Sequence, residues 1–376
     1  MTHFSIKESH LEKLACPSCT KESDSLTLME KEGSLFLVCE GSSRAYRMGD
    51  VVYFTEKCNP KKCRLECMKA CPANAFYFKK ILPGVKSKRI HINESCTHCG
   101  ACADACPLKG LVKVKTPVFN SKSEDPRDCT KYTGDIECFD GEIRAFNEDG
   151  LVPSTRLTFE YLAGKISEGF LLDDGCGSQN FKAYLKNKVD AEVFGVDIRA
   201  DHYAYHPINT LADSQHLPIK KDSVNTVVSN FVLEHTTEPA RYLSEVKRVL
   251  KPSSRAYVSV PTPTYHLAYL FCFEGWIRYA LSIVNNPWKF LRNPVKHFLV
   301  ERAHERDWSL DSRQKVTFLD EMRRWHPDNW RKLLTESQLD IVDDGITGNI
   351  LSLNNVFGKT LGNSKRLGVH RTFVVE

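Results

Sequence analysis

Long apolar runs are missing. No 18 consecutive apolar residues occur anywhere in the 376, which excludes a single-helix membrane span. The opening residues, Met1-Thr2-His3-Phe4-Ser5-Ile6-Lys7-Glu8, hold no apolar core of the kind that marks a secretory leader, so the expected location is the cytoplasm. There is no Gly-x4-Gly-Lys-Ser/Thr loop, and with it goes nucleotide hydrolysis on a phosphate-cradling loop. A strong charge of either sign is absent too: the net charge is +5, mild for this length, and alone it does not argue for nucleic acid. What remains is an ordinary soluble composition, 41% apolar and 26% charged, on a chain long enough for two or three domains with their own cores.

Cysteine, by contrast, is abundant and uneven. Eleven of the 15 lie before residue 107, eight of them at metal-cluster spacings, and such clustering fits a reducing compartment.

The chain is organised around Phe170-Leu171-Leu172-Asp173-Asp174-Gly175-Cys176-Gly177-Ser178-Gln179-Asn180. An apolar run ends in acids and two glycines, then in polar residues able to open a helix, which predicts a strand turning into a helix. Glycine suits the turn because the backbone must pass close to a ligand and take positive φ, and the helix that follows directs free amide N–H groups at whatever lies there. A second apolar strand, Ala191 to Val196, ends in Asp197, 24 residues after Asp173, where a doubly wound fold places a carboxylate for a ribose diol. Leu211 to Pro218, the strand Thr226 to Asn230, a helix bearing Leu243, Val246 and Leu250 on one face, and the strand Ala256 to Val260 complete the order.

This order resembles the class I S-adenosylmethionine-dependent methyltransferases, type 11 group, over residues 169–263. The resemblance implies an α/β, Rossmann-like sheet. It places Asp173 near the methionine part of the cofactor, with Gly175, Cys176 and Gly177 under it. Asp197 and the adjoining Ile198 then lie at the ribose, Asp213 and Ser214 at the adenine, and Asn230 on the cofactor's rim. The sequence departs from the pattern at three places: Gln179 stands where a third glycine is usual, Asn225 where an Asp is usual, and Ser253-Ser254 where a glycine pair is usual.

Residues 58–72 read Cys58-x4-Cys63-x3-Cys67-x3-Cys71-Pro72, and residues 96–107 read Cys96-x2-Cys99-x2-Cys102-x3-Cys106-Pro107. The second is the run in which one tight loop gives three thiolates to a cubane cluster and the fourth crosses to another. Two 4Fe-4S clusters follow, one on Cys58, Cys63, Cys67 and Cys106, the other on Cys96, Cys99, Cys102 and Cys71. Zinc in two knuckles is the competing reading; Cys-x2-Cys-x2-Cys crowds a tetrahedral ion. Residues 56–116 resemble the iron–sulfur domain at the front of the ribosome-recycling ATPase, including Asn59-Pro60-Lys61-Lys62-Cys63. No Cys-x3-Cys-x2-Cys loop is present, so radical chemistry on S-adenosylmethionine is not expected. Between residues 56 and 115, 13 Lys and Arg face four Asp and Glu; this offsets cluster charge in one reading and forms a basic face for RNA or an acidic partner in the other.

Ahead of these, Cys16-Pro17-Ser18-Cys19 and Cys39 resemble the zinc ribbons that accompany or activate methyltransferases, with Ser42 where a fourth cysteine would stand. Either zinc sits on Cys16, Cys19 and Cys39, or the ribbon keeps its core without metal. An apolar helical start is expected at Leu11 to Leu14. Residues 117–150 read as a linker with Cys129 and Cys138 as spare thiols. Residues 264–335 hold all five tryptophans and read as a helical insertion capping the sheet's carboxyl edge, either as plain core or as a lid over an apolar, lipid-like substrate.

The expected domains are therefore a degenerate β-rich ribbon over 1–54, a small α+β two-cluster ferredoxin domain over 55–116, the linker over 117–150, and the methyltransferase over 151–376. The expected activity is methyl transfer by in-line displacement to a small or lipid-like acceptor. Asn230 and His235 would position the nucleophile or take its proton, unless His235 only caps the helix after Glu234. An electron donor would serve the clusters. The alternative is an electron-transfer, RNA-binding or ribosome-associated protein with a vestigial transferase fold.

Overall fold

The computed structural model describes residues 3–4, 6–17, 26–31, 34–42, 44–54, 63–74, 76–80, 88–92, 100–108, 111–119, 138–139, 153–177, 179–198, 209–265, 322–349 and 368–376. Cys19, Cys58, Cys96, Cys99, Cys129 and most of the expected insertion lie outside them. In chain order the first part contains β1 (His3–Phe4), α1 (Glu8–Leu11), β2 (Leu26–Lys31), β3 (Ser34–Cys39), β4 (Ala45–Phe54), α2 (Glu66–Ala70), β5 (Phe76–Lys80), β6 (Lys88–Ile92), α3 (Ala101–Asp104), β7 (Leu111–Pro117) and β8 (Cys138–Phe139). The second contains α4 (Pro153–Ala163), β9 (Gly169–Asp174), α5 (Asn180–Leu185), β10 (Ala191–Asp197), β11 (Thr210–Leu211), β12 (Val224–Asn230), α6 (Pro239–Val249), β13 (Leu250–Pro261), α7 (Pro327–Glu336), β14 (Ile341–Asn349) and β15 (Gly368–Val375). Two compact units result: Met1–Asn147 with Glu168–Val224, and Glu148–Ser167 with Asn225–Glu376.

In the first unit the ribbon sheet has the order β1-β7-β4-β3-β2. β4 and β7 pair antiparallel from Met48↔Pro117 to Phe54↔Leu111. The cysteine-rich stretch thus leaves the sheet after Phe54 and returns to it at Leu111, between two adjacent strands. Leu37, Cys39, Tyr46 and Met48 are buried in this sheet. The helix near the amino terminus is Glu8–Leu11, earlier than expected, because Leu14 is taken by an antiparallel bridge to Ile219. Cys138, expected in an irregular linker, pairs with Ile90 through β8. The other sheet portion of this unit runs β11-β10-β9, with both pairings parallel. Five of the six β9 residues are buried, as suits a parallel strand covered on both faces.

The second unit carries the order β12-β13-β15-β14. β13 and β15 pair antiparallel from Ala256↔Val375 to Pro261↔His370. α6 begins on Pro239, whose fixed φ suits a first helical turn, and buries Tyr242, Leu243, Val246 and Val249. β13 starts at Leu250, six residues earlier than the sequence suggests, because Ser253 takes φ 62° and so supplies the left-handed turn that a glycine pair would give. Asn225 fills the usual Asp position by accepting from Lys251 Nζ at 2.9 Å. Among the described residues no helix is long and apolar enough to cross a membrane.

Candidate functional site

The turn after β9 is left-handed three times, at Gly175 (φ 72°), Gly177 (φ 47°) and Gln179 (φ 59°). An L side chain in that region costs about 1–2 kcal/mol, so Gln179 needs compensation, which its burial provides: it is 0% exposed and lies over Gly195. A Cβ at Gly195 would sit 2.8 Å from both Gln179 Nε2 and Cys176 Sγ. The N–H groups of Gly175 and Cys176 both donate to Val196 O, at 2.9 and 3.0 Å. Among the described residues nothing lies within 4 Å of where a Cβ at Gly177 would sit, so the loop has open space on that side.

Around this space stand the acids. Gly177 N–H donates to Asp197 Oδ2 at 2.8 Å, and Ala212 N–H donates to Asp197 O at 2.9 Å. Ile198 follows, half-buried. Ser214 Oγ donates to Asp174 Oδ1 at 2.5 Å. Asp213 Oδ1 accepts from the N–H and Nε2 of Gln215, at 2.9 and 3.1 Å, which caps the short 3-10 turn Ser214–His216. Asp173 is buried, and among the described residues its Oδ2 has no hydrogen-bond partner. Burial, then the neighbouring Asp174 and Asp197 charges, push its carboxyl up to about 7. Burial likewise pushes the Cys176 thiol well up, with Asp197 and Asp173 adding to it. The sequence reading missed Lys182 and Asn209. Lys182 Nζ donates to Asn209 Oδ1 at 3.4 Å, Gly195 N–H donates to the same oxygen at 2.8 Å, and burial lowers the lysine's pKa against the pull of Cys176 and Asp173. A lysine on the short, otherwise apolar α5 face was the available signal.

In the second unit Asn230 ends β12 with its Oδ1 buried and, among the described residues, without a hydrogen-bond partner. Phe231 follows at φ 60°, and its ring meets His370 edge-on at 4.5 Å. Tyr265 lies 5.9 Å from His370 and 6.1 Å from Trp325. Burial lowers His370 to about 3, so it is a neutral imidazole at ordinary pH. His235 sits in the turn Leu233–His235, its Nε2 3.9 Å from Glu234 Oε1. Sequence reasoning did not single out His370, which looks there like any polar residue alternating along a final strand.

The cysteines fit cluster ligation where they are described. Cys67, Cys102, Cys106 and Leu111 share one buried core with Phe76, against which Cys71 packs, and Cys63 is half-buried. α2 and α3, which pack together, are entered alike: Leu65 at φ 57° before one and Gly100 at φ 88° before the other. Cys67 and Cys102 thus occupy equivalent places two residues on, as a pseudo-twofold pair of loops requires. In the ribbon, Cys16 Sγ lies 3.0 Å from Tyr46 Oη and 3.5 Å from Ser42 Oγ. No cluster of three or more His, Cys, Asp or Glu in metal-binding arrangement occurs among the described residues.

Residues 172–258 match the family model described as "Methyltransferase domain", and residues 43–110 match "4Fe-4S dicluster domain". The chain carries both domains. It is 32% identical over 111 residues to the biotin biosynthesis bifunctional protein BioHC of Cellvibrio japonicus, covering 28% of this chain and 22% of that protein. It is 38% identical over 63 residues to ABC transporter E family member 1 of Arabidopsis thaliana, covering 16% of this chain and 10% of that protein. The chain therefore spans about a fifth or less of the length of these relatives. Among solved structures it is similar to the complex between the Haloferax volcanii Trm112 methyltransferase activator and a putative methyltransferase, with 17% identity, 61% of this chain and 92% of that chain covered, and a TM-score of 0.38.

Proposed function

We propose that the protein is a cytoplasmic S-adenosylmethionine-dependent methyltransferase that carries two 4Fe-4S clusters beside its cofactor site. One observation carries the reading: the open space at Gly177 is backed by a buried, unpartnered Asp173 oxygen, with Asp197 held against the same loop. A cationic, diol-bearing ligand matches that donor set. Asp173 would hold the methionine ammonium, Asp197 and Ile198 the ribose, Asp213 and Ser214 the adenine, with Gly175, Cys176 and Gly177 beneath.

S-adenosylmethionine supplies an already activated methyl group, so the protein's task is to align acceptor and methyl carbon and exclude water. No obligatory acid is needed. Asn230 and His235 are the groups that would orient the acceptor, while His370, neutral and a weak base, would not take its proton. The tryptophan-rich stretch 264–335 is what favours an apolar small-molecule or lipid-like acceptor. Calorimetry with S-adenosylmethionine tests the reading: binding to the intact protein that is markedly weakened in Asp197→Ala supports it, and no heat with the intact protein sinks it.

Cys58, Cys63, Cys67 and Cys106 would hold one cluster, and Cys96, Cys99, Cys102 and Cys71 the other, with an electron donor as the partner. RNA or ribosome binding is the competing use of the basic stretch; salt-dependent RNA binding lost on neutralising Lys61, Lys62 and Arg64 would favour it. Zinc on Cys16, Cys19 and Cys39 rests on spacing alone. One zinc per chain supports it; no zinc with a folded ribbon leaves Tyr46 and Ser42 as the groups that hold Cys16.

A further inference from the structure

The turn that follows β11, residues 212–217, is gripped at both ends by segments from the amino-terminal part of the same unit. On the β11 side, Thr210 Oγ1 donates to Pro117 O at 3.0 Å and Phe119 N–H donates to Leu211 O at 2.8 Å, with Val118 and Leu211 in a parallel bridge. On the far side, Ala15 N–H donates to Pro218 O at 3.0 Å and Lys220 N–H to Lys13 O at 2.8 Å. Leu14, Val118, Phe119, Leu211, Leu217 and Ile219 are all buried at these contacts. Asp213 and Ser214 therefore have little freedom of their own.

The first grip is continuous with the cysteine core. β7 ends at Pro117 and begins at Leu111, and Leu111 belongs to the core formed with Cys67, Cys102 and Cys106. α3 packs on β7. The turn that opens α3 lies under β7 as well: a Cβ on Gly100 would come within 2.4 Å of Lys113 Cδ. One seven-residue strand thus has its start in the cysteine core and its end on the strand that leads into the turn of Asp213 and Ser214. A packed strand transmits displacement because it has no slack to absorb it.

We propose that β7 couples the state of the cysteine core to the cofactor site, with Thr210 as a positioning residue. Loaded clusters hold Leu111 and hence Pro117 in the register that Thr210 and Leu211 require; loss of iron releases that register and loosens Asp213 and Ser214. The inference rests on the assignment of these two residues to the adenine of S-adenosylmethionine. By linkage the coupling is reciprocal: cofactor binding stabilises the loaded core by the same factor.

The test uses full-length protein, anaerobically loaded or iron-stripped by chelation, with S-adenosylhomocysteine titrated calorimetrically into each. Affinity is expected to fall about tenfold on stripping. Thr210→Val, which keeps shape and removes the bond to Pro117, should weaken binding to the loaded protein several-fold and bring the loaded-to-stripped ratio towards unity, a change that general destabilisation would not make. Amide exchange over residues 210–220 should quicken on stripping while that over 169–174 does not. Loaded and stripped wild type agreeing within about twofold would overturn the proposal. Should stripping unfold the unit, the loaded Thr210→Val protein decides, and an unchanged affinity there overturns it equally. Loaded wild type that binds no S-adenosylhomocysteine at all would instead bring down the assignment of the site, and the coupling with it.

Discussion

Asp197 Oδ2 accepts the backbone N–H of Gly177 at 2.8 Å. One carboxylate oxygen thus fixes the glycine loop, and in the proposed site the same side chain would also hold the ribose. Asp197→Ala removes both functions, and the expected loss of S-adenosylmethionine affinity is about 10- to 100-fold, the range for a hydrogen bond to a charged group. Asp197→Asn keeps an acceptor for Gly177 and should fall between wild type and Asp197→Ala. Calorimetric titration of the three proteins checks the order.

Asp173 sets a pH dependence whose sign follows from its raised pKa. Folded, the carboxyl titrates near 7, against 3.8 ordinarily, so folding takes up a proton between those values. Its contribution is most favourable below about pH 4 and is lost as pH rises through about 7. Asp173→Asn should therefore raise the melting temperature of the cofactor-free protein at about pH 8 and change it little near pH 4. Cofactor binding runs the other way. A cationic ligand favours the ionised carboxylate, so affinity should rise through about pH 7 and binding should release a proton. Titration in two buffers of different ionisation enthalpy measures that proton, and its absence would remove Asp173 from the site.

Much of this was legible in the sequence because it is local. The apolar run into Gly175 and Gly177, the acid closing β10, and the cysteine spacings are each set within about a dozen residues, and β9, β10 and β12 formed where periodicity placed them. What could not be read is long-range or conformational. That β7 returns from the cysteine-rich stretch to pair with β4 depends on partners over 50 residues away, and no local pattern names them. Nothing in the local sequence marks His10 for burial. It is buried because its ring packs edge-on to Phe194 at 4.9 Å and its Nε2 meets Glu192 at 3.1 Å. Gln179 and Ser253 break a glycine pattern in sequence yet take the left-handed backbone that glycine would, since packing can outweigh a cost of about 1–2 kcal/mol.

Those two positions should answer differently to glycine. Ser253 is exposed, so Ser253→Gly relieves strain, loses no packing, and should change stability by less than about 1 kcal/mol in either direction once unfolded-state entropy is counted. Gln179→Gly relieves the same strain but empties a buried position over Gly195 and should destabilise by about 1–3 kcal/mol. Gly195→Ala should cost a similar amount by overpacking against Cys176 and Gln179. Urea unfolding with unchanged slopes would measure all three.

The cluster assignment makes the sharpest demand, because Cys106 follows Cys96, Cys99 and Cys102 in sequence yet is predicted to serve the opposite cluster. Cys106 shares one buried core with both Cys67 and Cys102, so the choice of cluster rests on the crossover rule. Anaerobically purified protein should hold about eight irons and about eight acid-labile sulfides per chain. Cys106→Ala should then disturb the cluster built on Cys58, Cys63 and Cys67 and leave the one on Cys96, Cys99, Cys102 and Cys71, with iron falling towards about four. Paramagnetic spectra of Cys106→Ala and Cys71→Ala should therefore lose opposite signals. If each variant instead lost the cluster nearest to it in sequence, ligation would be local and the pseudo-twofold arrangement of α2 and α3 would have another cause. About one zinc and no iron after strictly anaerobic work would remove cluster chemistry altogether.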